Sequence, residues 1–113
     1  MYGGHSNAPN NAREEAVLSD THFDSVWSLV VSLQGEQFET KTGLPFTYEV
    51  RGNSLYTSRT RFNIARSEFK RAIELGPLDG PRPIHKLVRG PSYVWAILHD
   101  PRVKHVAWPE VYS

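Results

Sequence analysis

Apolar side chains recur at helical spacing in the first third of the chain. The residues at i, i+3, i+4 and i+7, which share one face of a helix, are Phe23, Val26, Trp27 and Val30. Asp20 favours the positive amino-terminal end of such a helix, and Gly35 is typical of the position just after a helix end. The pattern predicts a first helix over residues 20–34.

An alternating pattern follows. Every second residue in residues 46–50 is apolar, which is typical of a half-buried strand. A two-residue turn beginning at Gly52 predicts a hairpin in which Val50 lies opposite Leu55. The other pairs of the same register are Glu49 with Tyr56 and Tyr48 with Thr57. A short strand around Phe38 completes a predicted three-stranded antiparallel sheet.

The last third of the chain shows shorter helical patterns. Ser67 is a candidate cap for a helix that ends at Leu75, and residues 93–98 form a short apolar helix. Ile84, Leu87 and Val88 suggest one or two further turns of helix, and residues 103–108 form either a strand or a packed tail. The order predicts an α+β domain: an N-terminal helix packed on the small sheet, followed by two or three short helices.

The length and composition suit a single domain. The chain has 113 residues, of which 39% are hydrophobic and 12% aromatic. Residues 1–13 are rich in Gly, Asn, His and Ser, which predicts a disordered segment ahead of a domain over residues 14–113. The predicted core comprises Phe23, Val26, Trp27, Val30, Phe46, Tyr48, Val50, Phe69, Ile73, Val94, Ile97 and Leu98.

Several functional classes are disfavoured. The absence of cysteine excludes disulfides, thiolate nucleophiles and Cys-ligated zinc. The longest mainly apolar run, Val26–Leu33, is too short to cross a bilayer, which predicts a cytoplasmic protein without a membrane partner. Phosphate-loop, dinucleotide and zinc motifs are absent, so we predict no cofactor and no metal. The Glu39-Thr40-Lys41 tripeptide matches one piece of a metal-nuclease pattern, but its acidic partners fall on the first helix.

Charge is distributed unevenly along the chain. Residues 1–50 hold seven anions and two cations, whereas residues 51–104 hold eleven cations and four anions. This split predicts a basic face that meets a polyanion, or else two halves that neutralise each other on folding. Most of the cations after Gly52 are arginine, which binds phosphate through two parallel hydrogen bonds and stacks on bases. The predicted nucleic-acid-binding residues are Arg51, Tyr56, Arg59, Arg61, Arg66, Lys70, Arg71, Lys86 and Arg89.

A helix-turn-helix is a second arrangement by which the chain could bind nucleic acid. Two short apolar helices meet at Gly90, and Lys86 and Arg89 lie in the first of them. However, residues 93–98 have no charged or amide side chain that could read base edges, so we interpret them as core.

The sequence thus favours a small, non-catalytic nucleic-acid-binding module, with DNA as the predicted ligand and a homodimer also compatible. An alternative is a regulatory module that binds a protein partner through exposed Tyr93, Trp95 and Trp108, because aromatic side chains dominate such interfaces. A second alternative is a metal-independent ribonuclease, in which His85 or His99 acts with nearby arginines.

Overall fold

The computed structural model describes residues 7–112, with side chains described from Asp20 onwards. One long helix is followed by five short strands and then by helices alone, which confirms the predicted α+β class. In chain order they are α1 (Asn7–Ser32), β1 (Phe38–Glu39), β2 (Pro45–Phe46), β3 (Tyr48–Arg51), β4 (Ser54–Thr57), β5 (Asn63–Ala65), α2 (Arg66–Glu74), a 3-10 turn (Arg82–Ile84), α3 (Pro91–Leu98) and α4 (Lys104–Ala107).

Helix α1 presents its predicted apolar face to the core. Phe23, Val26, Trp27 and Val30 are all buried. The helix begins at Asn7 rather than Asp20, and its end at Ser32 is close to the predicted one. Residues 1–6 of the predicted disordered segment lie outside the described residues, and the domain boundary after residue 13 stays a prediction.

The predicted hairpin register is confirmed. Val50 lies opposite Leu55, Glu49 opposite Tyr56 and Tyr48 opposite Thr57. The third strand of this sheet differs from the prediction, because β5 pairs with β4 while β1 and β2 form a separate two-stranded sheet. Thr47 separates β2 from β3, and its carbonyl accepts a hydrogen bond from the Ser58 N–H at 2.9 Å. One predicted strand is therefore divided between two sheets.

One hydrophobic core lies between α1, the sheets and the later helices. Ten of the twelve predicted core residues are buried, and the other two, Val50 and Ile73, are half-buried against the core. The Tyr48 hydroxyl donates to the Val30 carbonyl at 2.5 Å and so joins the sheet to the last turns of α1. Burial of each large apolar side chain contributes about 1.5–3 kcal/mol before the entropy cost.

Local hydrogen bonds set the ends of the later helices. The predicted cap at Ser67 is wrong: α2 begins at Arg66, and the Glu68 carboxylate accepts the Ala65 N–H at 2.8 Å. The segment after Val103 is the short helix α4, because Val103 and Ala107 are buried at helical spacing. A 3-10 turn replaces the predicted helix near residue 84.

Candidate nucleic-acid interface

Helix α2 separates the predicted basic residues into two groups. Arg66 and Lys70, four residues apart, face the acidic side of α1. Arg66 forms an ion pair with Asp24, and the Lys70 ammonium donates to the Asp20 carboxylate at 2.8 Å. This hydrogen bond to Asp20 raises the pKa of Lys70. Part of the basic half is therefore neutralised by the acidic half within the fold.

The opposite side of α2 faces the loop that precedes α3. Glu68 and Arg71, three residues apart, both contact this loop. The Glu68 carboxylate accepts the Arg89 backbone N–H, and the Arg71 guanidinium donates to the Leu87 carbonyl at 2.8 Å. Both contacts hold the loop against the helix without neutralising the Arg89 side chain.

The Arg89 side chain extends across the start of β5. Its guanidinium carbon lies 5.4 Å from the centre of the Phe62 ring, a cation–π distance. One guanidinium nitrogen is 3.5 Å from the Asn63 side-chain oxygen. Phe62 is 38% exposed, so part of its ring remains accessible to solvent. We call this region the Arg89 surface. Contacts join Arg89 to Phe62 and Asn63 and join Arg71 to the loop before Arg89, and Arg61 and Lys86 are included because they are close in sequence. Its members are Arg61, Phe62, Asn63, Arg71, Lys86 and Arg89.

The outward side of the three-stranded sheet adjoins the Arg89 surface at Asn63. The Arg51 guanidinium carbon lies 4.8 Å from the centre of the Tyr56 ring, and Arg51 also pairs with Glu49 at 2.7 Å. A shallow concavity of about 520 Å³ is lined partly by Arg51 and Tyr56. We call this the sheet face; its members are Glu49, Arg51, Ser54, Tyr56 and Asn63.

The eight predicted cations differ in their partners. Arg51, Arg66 and Lys70 pair with carboxylates. Across residues 20–112, the other five have no carboxylate partner within ion-pair distance, and these are Arg59, Arg61, Arg71, Lys86 and Arg89. Arg59, in the connection between β4 and β5 that also holds Phe62, donates to the Pro45 carbonyl at 2.7 Å. Four cations that have no carboxylate partner among residues 20–112 therefore belong to the Arg89 surface.

The structure does not present the aromatic residues of the protein-partner alternative as an exposed set. Trp108 is only 7% exposed, and its indole N–H donates to the Ile73 carbonyl, so its predicted exposure is wrong. Tyr93 is half-buried with its ring edge-on to Phe46, and the Trp95 indole N–H donates to the Leu78 carbonyl. All three rings are used in packing the second half of the chain.

Helix α3 is also used in packing. Val94, Ala96, Ile97 and Leu98 are buried, which agrees with their interpretation as core. Because its side chains point into the domain, α3 has no polar face that could enter a DNA groove.

The three late histidines have separate surroundings. His99 lies between Trp95 and Trp108; its Nδ1–H donates to the Trp95 carbonyl, and its Nε2 accepts the Leu78 N–H at 2.9 Å. Burial lowers the pKa of this ring. Both ring nitrogens are therefore engaged, which leaves neither for acid–base chemistry.

His85 is exposed and lines a groove of about 750 Å³ with Arg82 and Lys41. His105 is exposed beside α4 and contacts the Pro101 carbonyl at 3.1 Å. The ribonuclease alternative, which stays a prediction, therefore depends on His85 rather than on His99.

The contributions of Phe62 and Glu68 to this region were not predicted. Phe62 directly follows Arg61, and Glu68 lies between two predicted cations of α2. An aromatic residue directly beside an arginine was the available sequence signal for Phe62. The role of Glu68 depends on a contact with Arg89, so no local pattern indicates it.

In the part of the chain that the structure describes, there is no group of three or more acidic or histidine side chains that could hold a metal ion. Nor does any helix in residues 7–112 have the length and apolar character needed to cross a bilayer. No protein-family model matches the chain, and no curated protein or solved structure is similar enough to count as a match.

Proposed function

We propose that this protein is a non-catalytic nucleic-acid-binding module, with DNA as its expected ligand, and that the Arg89 surface and the sheet face form its interface. The observation that carries the proposal is the Arg89 guanidinium over exposed Phe62, on a surface whose four cations have no carboxylate partner among residues 20–112. A polyanion compensates such charges without displacing an internal partner.

The contacts of Arg71 and Arg89 favour this role. Each guanidinium is oriented by a neutral oxygen, the Leu87 carbonyl for Arg71 and the Asn63 amide for Arg89. A neutral oxygen uses only part of the five-donor guanidinium and leaves its full charge for a phosphate. A side chain already held in position also loses less rotamer entropy when it binds.

The number of interface cations without a carboxylate partner among residues 20–112 sets the expected salt dependence. If the four cations of the Arg89 surface contact phosphates, log K should fall against log salt with a slope of about −3.6 on duplex DNA or about −2.8 on a single strand. Arg51, Arg66 and Lys70 should add little, because each already pairs with a carboxylate.

Fluorescence anisotropy over a salt series tests the proposal with two matched double variants. Arg61→Ala/Lys86→Ala removes two cations without a carboxylate partner in the described residues, and we expect weaker binding with a slope shallower by about 1.4–1.8. Arg66→Ala/Lys70→Ala removes the same charge from the α1–α2 pairs, and we expect a much smaller change.

The absence of binding at low salt would contradict the proposal. Equal losses in the two double variants would instead show that net charge, rather than this surface, determines affinity. Circular dichroism melts of both variants establish that each one is folded.

A further inference from the structure

We infer that the ligand of this interface is single-stranded, and that its unpaired bases stack on the Arg51–Tyr56 and Arg89–Phe62 pairs. This inference rests on the proposed function and specifies the form of nucleic acid that the site recognises. Two aromatic–guanidinium stacks on one continuous surface are its basis.

Each pair offers a flat surface to a base. The guanidinium of Arg51 lies over Tyr56 at 4.8 Å, and that of Arg89 lies over Phe62 at 5.4 Å. Unpaired bases stack on aromatic rings and on guanidinium planes alike, whereas paired bases in a duplex are already stacked on each other. Arg51 is neutralised by Glu49, so it contributes its plane more than its charge.

The region between the Arg51–Tyr56 and Arg89–Phe62 pairs is formed by short polar side chains. Asn63 lies opposite Tyr56 in the sheet, and Ser54 lies opposite Ala65. The Asn63 amide nitrogen donates to the Ser54 hydroxyl at 3.0 Å, which uses one of its two N–H groups. The remaining N–H can reach the edge of an unpaired base that lies across the strands.

Elements that would enter the groove of a duplex are occupied elsewhere. Four side chains of α3 are buried, and its two aromatic rings pack against the core. The two flanks of α2 contact α1 and the loop that precedes α3. The turn between β3 and β4 is fixed to the start of α2, because the Asn53 carbonyl accepts the Arg66 N–H at 2.8 Å. A major groove requires a protruding helix or ribbon, so a flat face suits a single strand better.

Anisotropy titrations with four probes of one length, about 12 nucleotides, test this inference. The probes are a mixed-sequence single-stranded DNA, the same sequence as RNA, the matching DNA duplex, and an abasic strand that keeps the phosphates but lacks bases. We expect the two base-bearing single strands to bind about tenfold or more tightly than the abasic strand and the duplex. The DNA and RNA arms show which backbone is preferred.

Variants then separate stacking from charge. Tyr56→Ala should weaken binding of single-stranded DNA about fivefold or more and leave binding of the abasic strand unchanged, because only the bases stack. Tyr56→Phe keeps the ring and should bind like the parent. Leu44→Ala, which removes an exposed apolar side chain outside the sheet face, is the matched control.

Two outcomes are distinguishable failures. Equal affinity for the abasic and base-bearing strands, or tighter binding of the duplex, would overturn the inference and leave the proposed function in place. No binding of any probe at low salt would overturn both.

Discussion

The carboxylate of Glu68 binds two backbone N–H groups that are far apart in sequence, those of Ala65 and Arg89. One carboxylate oxygen accepts the Ala65 N–H at the junction of β5 and α2. The other oxygen accepts the Arg89 N–H and so fixes the loop from which the Arg89 side chain extends. The position of Arg89 over Phe62 therefore depends on an acidic residue that itself lies within a basic segment.

Replacing Glu68 should affect stability and binding together. Glu68→Ala leaves two N–H groups without their charged acceptor, and we expect the free energy of unfolding to fall by about 1.5–3 kcal/mol. Glu68→Gln keeps a side-chain acceptor and should lose less. Urea denaturation measures both, and Glu74→Ala, an exposed change on the same helix, is the control. A loss in Glu74→Ala as large as in Glu68→Ala would contradict this role.

Gly90 should tolerate a side chain less well than Gly52, although both have a φ of +62°. A Cβ at Gly90 would lie 2.8 Å from the Ile64 Cδ1 atom, whereas a Cβ at Gly52 would meet nothing within 4 Å. Ile64 is fully buried and has little room to move. Each alanine substitution should cost about 1–2 kcal/mol in backbone strain, with a further cost at Gly90. Thermal melts that show equal losses would exclude the steric contribution.

Removing Glu49 should strengthen binding. Its carboxylate compensates Arg51 on the sheet face, so Glu49→Gln should raise the affinity for single-stranded DNA and steepen the salt slope by about 0.7. Glu39→Gln makes the same change in net charge on β1 and serves as the control. An equal gain in Glu39→Gln would show a general charge effect rather than the release of Arg51.

Stability should depend on pH through His99. Its pKa is lowered from the ordinary value of 6.5 by burial, and its Nε2 can accept the Leu78 N–H only while that nitrogen is unprotonated. The unfolded chain therefore binds this proton more readily than the folded one. The stabilisation of the folded state by neutral His99 is complete above pH 6.5. It is lost as the pH falls from 6.5 towards and through the lowered pKa of His99 in the folded protein.

Melting temperatures from about pH 8 to pH 5 measure this dependence. His99→Gln should flatten the decline over this window. The exposed His105→Gln is the control and should keep it. The same decline in parent and His99→Gln would contradict the assignment. Asp100 does not interfere, because Arg102 holds its pKa below the ordinary 3.8.

Sequence periodicity predicted the parts of the fold that depend on near neighbours. The buried face of α1 follows from helical spacing, and the register of Val50 with Leu55 follows from a two-residue turn. Strand β5 was missed because Asn63–Ala65 is too short to show alternation. Its pairing with β4 depends on contacts across the sheet rather than on its own composition.

The candidate site was predicted less completely, for a similar reason. The sequence identified the cations but could not assign their partners, because the pairs of Arg66 with Asp24 and Lys70 with Asp20 join residues more than forty positions apart. Once the structure is known, helical geometry explains how the charged residues of α2 are divided. Arg66 and Lys70, at positions i and i+4, face α1, whereas Glu68 and Arg71 face the loop that precedes α3.

The open side of β3 has a consequence for self-association. The Gly35 N–H donates to the Tyr48 carbonyl at 2.9 Å, and the Val50 N–H donates to the Gln34 side-chain oxygen at 3.0 Å. The chain leaving α1 thus occupies backbone groups that a strand of another molecule would otherwise bind. Because unpaired strand edges are templates for aggregation, this arrangement protects the hairpin against intermolecular strand addition at β3.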